Sequence, residues 1–253
     1  MDINKLFDVK DKVVLVTGGG RGIGLMIATG FVSAGAKVYI SSRTASVCDK
    51  DLANVSRSLQ ICLLWKNAND WLKNYLSMNH LDVLVNNSGT NYNATIEEYP
   101  DDMFDKVLNL NLKRIFTLTQ ACLPLLKSNA TGDSPSRVIN IGSVDGIRPP
   151  PQTTFAYSAS KAGLHHLTKH MASQLGEENI LFNTVAPGAF RSKMMKATLD
   201  AFEEVIKSKI PLGRIGEPED IAGTVLYLSS RAGQYTTGAV IVVDGGVVAG
   251  AKL

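Results

Sequence analysis

Residues 12–24 read KVVLVTGGGRGIG, an apolar run that breaks into five glycines within eight residues. The run at 12–16 is continuous Val and Leu after its lysine, the composition of a strand buried on both faces. The stretch that follows, residues 22–33, carries apolar side chains at helical spacing. Glycines between a strand and a helix let the backbone approach a pyrophosphate closely, and the N–H groups of the helix terminus then hold the anion. The spacing Gly18-xxx-Gly22-x-Gly24, with Arg21 and Ile23 between, differs from the GxGxxG dinucleotide fingerprint. A glycine-rich turn can also be purely steric. Its place after the first strand and at the start of an amphipathic helix decides for nucleotide binding.

Outward from that turn, short apolar runs alternate with amphipathic stretches along the chain. Strands are predicted at residues 12–16, 37–41, 59–65, 81–85, 137–141, 180–185 and 240–243, and helices at 22–33, 101–126, 156–175 and 218–229. Alternation of this kind means a parallel sheet with helices packed on both faces. No repeat, linker or low-complexity segment divides the chain. The expectation is an α/β fold: a single doubly wound, Rossmann-type domain over residues 1–253 with a seven-stranded parallel sheet. In such sheets ligands bind beyond the carboxyl ends of the strands, where strand order reverses.

The 253 residues are 45% hydrophobic and 19% charged, with a formal charge of +3. That is a globular composition, and the charge is too mild to argue for nucleic acid. Cys48, Cys62 and Cys122 are far apart and odd in number, which fits neither a disulfide framework nor a metal cluster. No apolar run is long enough to span a bilayer, and the amino terminus lacks a secretory pattern, so neither membrane nor export is expected. The sequon-like triplets at Asn54, Asn86, Asn93 and Asn129 are then chance matches. The tail Ala251-Lys252-Leu253 resembles the Ser-Lys-Leu peroxisomal import signal, and import is the expectation it carries, with the cytoplasm as the alternative.

The second strand, KVYISSR, ends in Ser42 and Arg43. An NAD-preferring fold places an acid there for the ribose 2′-hydroxyl. A hydroxyl and a guanidinium suit a 2′-phosphate instead, and Arg21 adds a second cation, so NADP(H) is the expected cofactor. Further on, YSASK sets Tyr157 one helical turn ahead of Lys161, on a shared face. Taken alone, that pair is ordinary.

With TGGGRGIG at 17–24, NNSG at 86–89, Ser143 and YSASK in this order, the chain resembles the short-chain dehydrogenase/reductase family. PLGRIGEPEDIAG (211–223) and TGAVIVVDGG (237–246) fit it too, so the likeness covers nearly the whole chain. RVINIGSV (137–144) and APGAF with Ser192 and Met194 are most similar to NADP(H)-using 3-oxoacyl reductases.

The resemblance implies roles. Tyr157 gives a proton to a carbonyl oxygen as NADPH delivers hydride to its carbon, and acts as base in reverse. A free phenol has a pKa of about 10, and Lys161⁺ beside it, with an oxidised nicotinamide cation nearby, favours phenolate. Lys161 also bonds the nicotinamide ribose, Ser143 donates to the developing oxyanion, and Asn111, rather than Asn109, holds a water in the proton relay. Asn86 and Gly89 lie along the adenosine, Pro187 and Gly188 shape the nicotinamide pocket, and Ser192 stands where many relatives have threonine for the carboxamide. Ser88 replaces the usual alanine. A homotetramer or homodimer, joined through the helices at 101–126 and 156–175, is also implied.

Residues 57–80 depart from the family pattern. They are shorter than usual, and Leu64-Trp65-Lys66-Asn67 stands where an Asp usually meets adenine. Asn67 or Asp70 is the candidate substitute, and the competing reading is a non-catalytic nucleotide-binding subunit. A third is a 2,4-dienoyl-CoA reductase, prompted by the tail, although such relatives lack the tyrosine. His165, His166 and His170 lack an acidic or cysteine partner, so buried or interfacial imidazoles are expected over a metal site. Arg148, Arg191, Lys193 and Lys196 flank the expected mouth, either for an anionic carrier such as an acyl-CoA or as solvated charges. The lid is expected at residues 190–211. The small-molecule carbonyl substrate is not named by these residues.

Overall fold

The computed structural model describes residues 2–42, 59–64, 79–192 and 195–250. Seven strands, β1 (Val13–Thr17), β2 (Lys37–Ser42), β3 (Leu59–Leu64), β4 (Val83–Asn86), β5 (Ser136–Ile141), β6 (Ile180–Pro187) and β7 (Val240–Val243), form one sheet ordered β3-β2-β1-β4-β5-β6-β7. Every pairing is parallel. The described helices are α1 (Ile3–Leu6), α2 (Gly22–Ser33), α3 (Asp101–Leu108), α4 (Arg114–Lys127), α5 (Phe155–Leu175), α6 (Lys196–Lys209) and α7 (Pro218–Ser229). Strand order reverses between β1 and β4, and a crevice beyond their carboxyl ends follows from that topology.

The two-sided burial predicted from the Val/Leu runs is met strand by strand. In β1, Val14 and Val16 face α2 and α7, where they join Ile27, Phe31, Ile221 and Val225. Val13 and Leu15 point the other way, toward Cys122 and Leu126 of α4 and Met171 of α5. Phe31 and Phe182, both fully buried, anchor opposite layers. Each such side chain contributes roughly 1.5–3 kcal/mol of transfer free energy. α2 and α7 cross closely because Gly30 has no side chain: a Cβ there would lie 2.7 Å from that of Ala222.

The start of α7 is written in the local sequence. Glu217 caps it, Asp220 returns to the Glu217 N–H at 2.8 Å, and Pro218 occupies the first turn. Arg214 grips Asp220 at 2.6 and 3.0 Å, holding its carboxyl down at about 2.

Two elements differ from expectation. The helix predicted over 101–126 is interrupted by a π-helical turn, Asn109–Lys113, between α3 and α4. The stretch read as a lid contains α6, an amphipathic helix that leaves Phe202 and Val205 exposed. The tail 251–253 lies outside the described residues.

Candidate active site

β1 delivers Thr17 to the crevice, and the glycine turn begins there. Gly18 and Gly22 have φ of +66° and +53°, a region that glycine enters without the Cβ strain of other residues. Gly24 is required for packing, since a Cβ would collide with the Gly18 carbonyl. Arg21, at the N-cap of α2, makes no side-chain cap bond and is exposed, so its side chain does not occupy the helix's first N–H groups. Ile23 packs against the α2–α7 layer. Ser192 lies over the turn, its Cβ 3.1 Å from where a Gly22 Cβ would stand. Ser42 ends β2, and Arg43, with Asn67, Asp70 and Lys193, lies outside the described residues.

β4 supplies the opposite rim through Asn87, a residue the sequence reading passed over. The Thr17 hydroxyl accepts from the N–H groups of Asn87 and Ser88 at 2.9 and 3.0 Å, while Asn87 Nδ2 donates to the Thr17 carbonyl at 2.9 Å. Asn86, expected along the adenosine, is turned away. Its side chain is 1% exposed and donates to Thr119 at 3.2 Å and to Asn140 at 2.9 Å. The physical reason is strand alternation: Leu84 and Asn86 share the α4–α5 face. Asn140 in turn donates to Thr168, which also takes the Thr184 hydroxyl, both at 2.9 Å. Because Asn86, Asn140 and Thr184 stand in register, they form a polar ladder across three strands.

Gly89 sits beside Asn111, since a Cβ there would lie 3.3 Å from Asn111 Oδ1. Asn111 is fully buried in the π-helical turn, whereas Asn109 is exposed. Asn111 accepts from the Thr90 N–H at 2.9 Å and donates to the Thr90 carbonyl at 2.8 Å and to Ser160 Oγ at 3.1 Å. Ser160 Oγ donates to the Tyr157 carbonyl at 2.7 Å. The Asn111 side chain is thus committed to holding the β4 loop against α5, and a water in a relay would have to meet another atom of the residue. Pro187 closes β6 against Val243. Gly188 is a packing requirement, because a Cβ would stand 2.8 Å from that of Asp244.

Ser143, Tyr157 and Lys161 converge where β5 ends and α5 begins. The Ser143 hydroxyl accepts the Asp145 N–H at 3.1 Å, capping a short 3₁₀ turn, and favours the ionised form of the Tyr157 side chain near it. Lys161, 4% exposed, donates to the Ile141 carbonyl at 2.7 Å, and its ammonium stands 5.5 Å from the centre of the Tyr157 ring. Burial pushes the Tyr157 phenol up to about 12, beyond what the Ser143 hydroxyl offsets. Burial likewise brings Lys161 down to about 8, against the pull of Asp145. Burial thus works against the phenolate that Lys161 is expected to favour.

Of the histidines, His165 is buried and His166 and His170 are exposed. No cluster fit for a metal occurs among the described residues. The cations at the mouth are engaged: Arg148 with the Val247 carbonyl at 2.7 Å, Arg191 with Glu203 at 2.6 Å and Lys196 with Asp200 at 2.7 Å. Aromatics missed from the sequence gather beside the site. Tyr99 meets Tyr92, Phe104 and Phe155 edge-on at 5.5–6.0 Å, and Phe155, two residues before Tyr157, is 42% exposed. Cys122 is buried, with its thiol pushed up to about 12 by desolvation. No described helix is long and apolar enough to cross a membrane.

A doubly wound sheet with a glycine turn at its switch point, beside a Ser–Tyr–Lys cluster, defines an oxidoreductase. A family model described as "Enoyl-(Acyl carrier protein) reductase" matches residues 18–248. The rhamnolipid-biosynthesis 3-oxoacyl-[acyl-carrier-protein] reductase of Pseudomonas aeruginosa is 40% identical, over 95% of this chain and 97% of its own. The 3alpha-hydroxysteroid dehydrogenase of Mediterraneibacter gnavus is 33% identical, over 94% and 97%. The solved active-site complex of P. aeruginosa RhlG with NADP superposes with a TM-score of 0.89 at 39% identity, covering 96% and 99%. The chain belongs to the short-chain dehydrogenase/reductase family.

Proposed function

We propose that the protein is an NADPH-dependent carbonyl reductase acting on a 3-oxoacyl thioester or a similar hydrophobic ketone. The observation that carries this reading is the convergence of Ser143, Tyr157 and Lys161 where β5 ends and α5 begins, with the Lys161 ammonium 5.5 Å from the centre of the Tyr157 ring. The Gly18–Gly24 turn, with Ser42, Arg43 and Ser192, fits a dinucleotide that needs backbone contact, and NADPH would supply the hydride. Tyr157, fully protonated at neutral pH, gives its proton to the carbonyl oxygen. Ser143 Oγ donates to the same oxygen as charge develops. Lys161, mostly ammonium at pH 7, favours the phenolate left behind and takes the ribose. Asn111 and Ser160 hold the frame.

The substrate class rests on two supports. The similar rhamnolipid enzyme is a 3-oxoacyl reductase, and the aromatic group around Tyr99 offers apolar surface beside Tyr157. The paired state of Arg148, Arg191 and Lys196 favours selection by apolar contact over capture of an anionic carrier. Homo-oligomers through α3, α4 and α5 belong to the same reading, and a monomeric sedimentation profile would exclude them.

Tyr157→Phe should abolish turnover of 3-oxoacyl-CoA while leaving NADPH titration by nucleotide fluorescence unchanged. Retained turnover would remove Tyr157 from the mechanism, and turnover of dienoyl-CoA in preference to 3-oxoacyl-CoA would replace the substrate class.

A further inference from the structure

The segment that carries Ser143, G-S-V-D-G at 142–146, is shaped around a side chain that the proton transfer does not use. His165 lies one turn beyond Lys161 on α5 and is 7% exposed. Its ring rests against the two glycines that bracket Ser143. A Cβ on Gly142 would collide with Nε2, with Thr184 Cγ2 also 2.7 Å away, and one on Gly146 would stand 2.8 Å from Cε1 and 2.7 Å from the α5 backbone at Lys161 and Ala162. His165 Nε2 also accepts the Ser143 backbone N–H, at a long 3.5 Å. The ring is therefore wedged between the end of β5 and α5, in contact with the residue on which the oxyanion contact depends.

We propose that His165 is a positioning residue: its imidazole fills the space left open by Gly142 and Gly146 and accepts the Ser143 N–H, fixing where the Ser143 hydroxyl meets the reacting oxygen. An acceptor at Nε2 requires the ring proton on Nδ1, an assignment made from the hydrogen bond. Burial and the charges of Lys161 and Lys169 keep the imidazole neutral down to about pH 4, so the acceptor persists through the physiological range. A histidine that only filled space would have no need of the N–H contact. Small displacements of a positioned group cost as much as about a hundredfold in rate, which is the scale on which such a residue acts.

The inference rests on the reading of Ser143 as oxyanion donor, and the experiment separates the two. His165→Leu keeps volume without an acceptor, and His165→Gln keeps an acceptor. Each is compared with Ser143→Ala for kcat and KM in ketone reduction, for NADPH titration and for thermal melting. The leucine variant should bind NADPH as the wild type does and lose on the order of ten- to hundredfold in kcat. The glutamine variant should recover most of it. Wild-type kcat in the leucine variant, or equal losses in both, would reduce His165 to a space-filling role. If the leucine variant does not fold, His165→Asn, whose amide is too short to reach, takes its place. Undiminished turnover in Ser143→Ala would instead overturn the reading of Ser143 itself, whatever the His165 variants do.

Discussion

Lys161 shows how a buried charge couples the site to stability. Its folded pKa, about 8, lies below the ordinary 10.5 because burial disfavours the ammonium. Below pH 8 both folded and unfolded chains carry the proton, and the folded state bears the full cost of burying it. Between about 8 and 10.5 the unfolded chain binds more protons, so stability rises with pH and then levels off. Lys161→Met should remove that rise, seen as a flatter dependence of melting temperature on pH in the variant than in the wild type across this window. A parallel curve for both proteins would refute the assignment. At this scale part was legible: Ser143, Tyr157 and Lys161 lie together, and Asn111, buried where Asn109 is exposed, reaches that helix through Ser160. The neighbours Asn86 and Asn87 were not separable. Which one faces the crevice depends on whether the strand ends at residue 85 or 86, and alternation turns that single step into opposite faces. The wedge of His165 between Gly142 and Gly146 was equally hidden, since no local pattern links residues about twenty positions apart.

The elements followed periodicity where burial is strong. The observed α2, α7 and β7 coincide with residues 22–33, 218–229 and 240–243. The π-helical turn Asn109–Lys113 did not, because nothing local in LNLNLK marks it, and the partners that hold Asn111 there, Thr90 and Ser160, are distant in sequence. Replacing Asn111 with Leu would leave both Thr90 backbone groups without their side-chain partner. The expected loss is about 1–3 kcal/mol, read by denaturant midpoint, with reductase activity falling as well. The ladder Asn86–Asn140–Thr168–Thr184 makes a second prediction. Asn140→Leu should cost more than the same change at an exposed asparagine, by about 2–4 kcal/mol, since it strips buried partners from Asn86 and Thr168. An urea midpoint equal to wild type would mean that the ladder is dispensable. α6 was missed because its apolar side chains are sparse and partly exposed, so the stretch reads as loop until its ion pairs with Arg191 and its own i,i+4 neighbours are counted.

For the whole molecule, alternation of strands and helices was enough to predict a parallel sheet covered on both faces, and the seven strands appear where the apolar runs stood. Strand order was not readable from composition; it follows from how the crossovers wind outward from β1 in both directions. If the chain binds NADPH as proposed, a nucleotide at a hundred times its Kd should stabilise the fold by about 2.7 kcal/mol. That is a rise of several degrees in melting temperature, in Tyr157→Phe as in wild type, and NADH should give a smaller one. Equal shifts with both nucleotides would remove Ser42 and Arg43 from cofactor choice. The bonds from Asn87 to Thr17 carry one more consequence. They join the two rims of the crevice, β1 and β4, before any ligand arrives, so the conformational entropy of that wall is lost during folding and not again at binding. Nucleotide association should then proceed at a rate set by diffusion and orientation along the groove, with no slow step of wall opening on this side.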